Sequence, residues 1–180
     1  MIAAQLKRKE NIAEYILYIY QIEDLIRAFH FNISSIETQL VSQYQVDEIK
    51  RQEILKWYKN LCAMMEKEGI REKGHLQFLW NQIYELNEFH LKLMETGSDK
   101  EYVGVFQSIS GLITELNLKG NSVKNDLQIS FDAIYGFLLL KIQKKDITDE
   151  TAEAFKRLSG WLSLLSKLFK DFESGDLEFE

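Results

Sequence analysis

Apolar residues recur at steps of three and four along nearly the whole chain, the period of an α-helix rather than a strand. The densest stretch is 10–31, ENIAEYILYIYQIEDLIRAFHF. At about 100° per residue, Ile12, Ile16, Ile19 and Ile26 share one face. Tyr15, Tyr18, Ile22 and Phe29 cover the next sector, and Leu17 and Leu25 lie further round. Only a narrow polar stripe with Glu10, Glu14 and Gln21 remains. A helix apolar on almost every side is read as buried, so this one is expected at the centre of the fold. It is not read as a membrane span, which needs roughly 20 residues with few charges; Glu10, Glu14, Glu23, Asp24 and Arg27 interrupt it.

The same period predicts six further helices. Ser34 or Ser35 can cap a short one bearing Ile36, Leu40, Val41 and Tyr44. Asp47 caps the third, with Ile54, Trp57, Tyr58, Leu61, Met64 and Met65 on its apolar face, and Gly69 ends it. The fourth follows Gly74, and Leu76, Leu79, Ile83, Leu86, His90 and Leu93 make one stripe. The fifth, capped by Ser98 or Asp99, carries Tyr102, Phe106, Ile109 and Ile113. Its Gly104, Ser108 and Gly111 line up as a small-residue row where another helix can approach closely. The sixth spans about 122–145 with Leu127, Phe131, Ile134, Leu138 and Ile142, and Gly136 marks a tight crossing. Thr148 caps the last; Phe155, Leu158, Leu162, Leu165, Phe169 and Phe172 form its stripe, and Trp161, Leu164 and Leu168 a second side that enters the core or serves a dimer. No segment alternates over a strand's length. The expected fold is therefore all-α: a compact bundle of six to seven helices, one domain over 1–175, then an acidic tail at 176–180.

Composition sharpens this picture. The chain of 180 residues contains no proline, which suits long uninterrupted helices and argues against Pro-rich linkers. The formal charge of −6 and pI of about 5.2 speak against nucleic acid, which asks for a basic face. The basic clusters, Lys7–Lys9 and Lys141, Lys144 and Lys145, are short. Cys62 is the only cysteine, so neither an intrachain disulfide nor a thiolate zinc site is available. MIAAQLKRKE has too short an apolar run for a secretory leader, and a cytoplasmic location is the default.

Few residues offer chemistry. Glu23, Arg27 and His30 can approach one another at spacings of four and three, either as an ordinary surface ion pair or as a polar cluster facing a cleft. His90 occupies a core position, as a hydrogen-bonded core residue or as a proton carrier or ligand. Asp132 sits in apolar company one turn before Gly136. Glu72 and His75 have the Glu-x-x-His spacing of di-iron bundles, but once only, so no metal is expected. Cys62, in the run LCAMM, reads as a small buried hydrophobe. Nucleophile elbow, P-loop and dinucleotide fingerprint are all missing. No catalytic residue and no cofactor is expected.

The stretch KENIAEYILYIYQIEDLIRAF at 9–29 resembles an uncharacterised, all-helical domain-of-unknown-function family found mainly in Bacteroidetes. EKGHLQ at 72–77, ELNEFHLKL at 85–93 and AIYGFLLLKIQKKDIT at 133–148 are similar to it too. The resemblance spans essentially the whole chain. It implies a cytoplasmic bacterial protein and carries over no catalytic residue.

Two functions stay open. The first is a non-catalytic interaction or scaffold protein, binding another protein or itself as a homodimer, with neither nucleic acid nor membrane as partner. The second is a small-ligand-binding or enzymatic domain with a polar pocket around Glu23 and Arg27, His30 or His90.

Overall fold

A computed structural model describes residues 2–120 and 124–179. Among the described residues the chain forms helices and no strand. They are α1 (Ile2–Glu10), α2 (Ile12–Ala28), α3 (Ile33–Gln39), a 3-10 turn (Val41–Gln43), α4 (Glu48–Lys67), α5 (Gln77–Thr96), α6 (Lys100–Lys119), α7 (Asp126–Ile142) and α8 (Asp149–Ser174). These eight α-helices exceed the expected six to seven by one, α1. Its sequence, IAAQLKRKE, has a weak apolar stripe but consists almost wholly of strong helix formers. None of the described helices is long and apolar enough to cross a membrane.

Local chemistry sets most of the boundaries. Asp47, Asp99 and Thr148 cap α4, α6 and α8, each side chain accepting a backbone N–H in the first turn. Gly175 closes α8 at φ 81°, where a side chain would be strained. Three expectations shift. Asn32, not Ser34 or Ser35, caps α3, accepting from the Ser35 amide at 2.9 Å. The expected start of the sixth helix at Ser122 lies outside the described residues; α7 begins at Asp126 behind a capping box of Asn125 and Gln128. Helix α2 stops at Ala28 rather than Phe31, because His30 and Phe31 take left-handed conformations at φ 51° and 61°. The Phe31 amide then donates back to the Ile26 carbonyl at 3.1 Å.

The chain groups into two compact units, Met1–Arg8 with Glu14–Trp80, and Lys9–Ala13 with Asn81–Glu180. In the first, α3 packs on α4 and on the 3-10 turn. Its buried residues include Ile16, Ile19, Tyr20 and Ile26 of α2 and Ile54, Leu55, Tyr58 and Met65 of α4. The outer side of α2 is wetter than its sequence suggests: Tyr15, Leu17 and Tyr18 are half-buried and Leu25 is exposed.

In the second unit α6, α7 and α8 pack pairwise over Tyr102, Ile109, Leu127, Phe131, Trp161 and Leu165, all buried. The Ala13 amide, one of the donors that a helix start leaves unpaired, is met by Ser166 Oγ from α8 at 3.3 Å. The small-residue row on α6 is not a crossing point. Gly104 and Gly111 are exposed, and a Cβ built on either meets nothing within 4 Å. Gly136 is equally open, so the tight crossing expected there is absent too.

Candidate functional site

The most chemically organised place in the first unit forms where α2 meets the loop that leads from α4 into α5. Glu23, on the inner face of α2, has 0% of its surface exposed. A carboxylate so placed must be partnered or pay heavily for lost hydration. Glu23 Oε2 accepts from His75 Nδ1 at 2.6 Å, and Oε1 from the Leu76 amide at 2.9 Å. A carboxylate only accepts, so the Nδ1 proton of His75 is assigned by this contact. The imidazole stacks on Tyr20 at 3.5 Å between centroids and 10° between planes, with Trp80 edge-on at 5.7 Å. Next along, the Gln77 amide donates to Glu68 at 2.7 Å. Two carboxylates thus serve consecutive amides at the start of α5, where the helix dipole also favours negative charge.

Arg27, one turn on from Glu23, does not pair with it. Its Nη1 donates to Asp24 at 2.9 Å and its Nη2 to the carbonyls of Ile70, at 3.2 Å, and Gly74. Gly74, at φ 96° and with Ile70 Cγ2 3.3 Å from where a Cβ would stand, is a turn that a larger residue would strain. The guanidinium ties the loop down just before His75. The expected Glu23–Arg27 pair is therefore replaced by Glu23–His75 and Asp24–Arg27. His30 joins neither: it is exposed, and its amide donates to the Arg27 carbonyl at 2.8 Å.

His90 belongs to the second unit and is 1% exposed. Its Nδ1 lies 2.6 Å from the Tyr102 hydroxyl, and its Nε2 faces Asp126 at 3.8 Å. A proton on Nε2 suits the carboxylate, which leaves Tyr102 as donor to Nδ1. Phe106 and Trp161 surround the ring, at 4.5 and 5.4 Å between centroids. Burial pushes the Tyr102 hydroxyl pKa well above its ordinary range.

Other candidates hold quieter positions. Cys62 is buried; burial first, and then the Glu66 charge, push its thiol up to about 11, against the low pKa of reactive thiols. Asp132 pairs with Lys124. Among the described residues no three His, Cys, Asp or Glu side chains converge as a metal would need. Grooves occur on the second unit: one of about 300 Å³ includes Leu112, Leu116 and Phe155, and one of about 410 Å³ includes Phe89, Phe172 and Phe179. Neither is lined by Glu23, Arg27, His30, His75 or His90.

Sequence reasoning missed His75 as the partner of Glu23. It reads His75 only against Glu72, three residues away, whereas the acid it meets is 52 residues away. The available signal was the turn glycine Gly74 just before it, which predicts a shaped loop but not its partner.

A family model described as a domain of unknown function (DUF4924) matches residues 1–176. No curated protein and no solved structure matches the chain.

Proposed function

The chain belongs to the DUF4924 family, and we propose that it acts as a non-catalytic interaction or scaffold protein of the bacterial cytoplasm. One observation carries this reading: the buried side chains of Glu23 and His90 are each engaged within the fold. Glu23 holds His75 and a backbone amide, and His90 is hydrogen-bonded to Tyr102 and sealed by aromatic rings. Chemistry on a bound molecule needs groups free to meet it. The fully buried face of α2 serves, in this reading, as the framework on which the helices are assembled. The partner is a protein, another chain or a second copy; the net charge of −6 disfavours nucleic acid.

A second reading is a ligand-binding or enzymatic domain with a pocket around Arg27, His30 or His90. It draws on the Glu23–His75 contact, because carboxylates orient histidines that transfer protons. Native mass spectrometry of the purified, undenatured protein separates the two. The interaction reading expects the bare chain of 21.2 kDa, its multiples, or a protein complex. A small molecule retained by the native chain and lost in His75→Phe or His90→Phe would overturn it.

A further inference from the structure

We propose that the groove between α5 and α8 docks a partner segment bearing an aromatic residue flanked by Lys or Arg, and that the chain's own Phe179, which forms one wall of this groove against Phe89 and Phe172, holds the ring position until the partner arrives. The inference rests on reading the chain as an interaction protein and names the surface and the partner's chemistry.

The tail shows what the groove accepts. Past Gly175 the Asp176 and Leu177 amides both donate to the Asp171 carbonyl, at 2.8 and 3.1 Å, turning the chain back along α8. Phe179 then lies 5.6 Å from the Phe89 ring and 5.5 Å from Phe172, within the range of favourable ring contacts. The Lys92 ammonium stands 4.5 Å from its centroid, close enough for cation–π attraction. The ring therefore fits.

The charges do not. Glu85, Glu88 and Glu95 line the groove against a single base, Lys92, while the tail brings Asp176 and Glu178. Ring and flanks oppose each other, and the tail holds because it is tethered: a short linker gives an effective concentration on the order of millimolar. A separate segment with the same ring and basic flanks keeps the aromatic contact and turns repulsion into attraction. Phe172, 41% exposed even with the tail in place, extends the apolar surface such a segment would cover.

The test is fluorescence anisotropy with a labelled peptide carrying one phenylalanine between two pairs of lysines. Control peptides replace the lysines by glutamates, or the phenylalanine by alanine. The full chain is compared with Phe179→Ala, a tail change outside the helices. Phe179→Ala is expected to bind the lysine peptide about tenfold more tightly than the unaltered chain, since the tethered competitor is gone. Added salt should weaken that binding, and Glu88→Lys in the same background should remove most of it. The proposal fails if the lysine peptide does not bind, if either control binds as well, or if Phe179→Ala changes nothing. It also fails if the unaltered chain is a dimer that Phe179→Ala dissolves, because the occupant is then a second copy's tail. Failure of the peptide alone removes the groove; a small molecule found by native mass spectrometry removes the interaction reading itself.

Discussion

A carboxylate with no exposed surface costs several kcal/mol unless it is partnered, and Glu23 is partnered twice. Glu23→Ala strands the Leu76 amide and takes the acceptor from His75, so it should destabilise the protein by about 3 kcal/mol. In a double-mutant cycle with His75→Ala the two changes should be non-additive by about 1–2 kcal/mol, read from urea unfolding; additive losses would mean the contact contributes nothing. Cys62 gives the residue-scale pH dependence. Its thiol pKa is raised in the fold from an ordinary 9.0 to about 11, so folding favours the protonated form. The stability this contributes is whole below the ordinary value and is lost as pH rises through the folded one. Tyr58 and Tyr102, pushed up chiefly by burial, act with the same sign at higher pH. The urea midpoint should therefore fall above about pH 9, and Cys62→Ala should flatten the first part of the fall.

Helices α6, α7 and α8 contain glycines for which the structure shows no packing reason. A Cβ on Gly104, Gly111, Gly136 or Gly160 meets nothing within 4 Å, and glycine inside a helix costs about 0.5–1 kcal/mol against alanine. Alanine at Gly104, Gly111 and Gly136 together should raise the melting temperature measured by circular dichroism. A lower melting temperature would restore the close helix approach expected from their spacing. The caps show which element ends were legible. Asp47 and Thr148 act on amides within three residues, so sequence alone reveals them, while Asp99, which acts over the same distance, stays open there against Ser98. The end of α2 was not legible, since His30 and Phe31 carry no glycine-like mark for their left-handed turn.

At the scale of the whole molecule, one domain is expected from length and composition, while the contacts group into two compact units. Three helices run through both groups: α1 divides after Arg8, α2 has Ile12 and Ala13 in the second and the rest in the first, and α5 divides after Trp80. Melting any of these helices therefore withdraws residues from both units, and a single cooperative transition is expected. The tryptophans can report it, with Trp57 and Trp80 in the first unit and Trp161 in the second. Urea curves from Trp161→Phe, and from a variant with Trp57 and Trp80 both replaced by phenylalanine, should share a midpoint with the helical signal after allowance for each variant's own stability. Separated midpoints would mean two independently folding domains.

Sequence by itself determined the helical class, most helix positions and several caps. These depend on a 3.6-residue period, the lack of proline and hydrogen bonds spanning three or four residues, all local quantities. It also marked Glu23, Arg27 and His90 as polar groups among apolar neighbours. Only the tertiary structure decided their partners: Glu23 takes His75, Arg27 takes the carbonyls of Ile70 and Gly74, and His90 takes Tyr102. A helix sets the direction of its side chains, but not which distant group a loop or neighbouring helix will bring there once water is excluded.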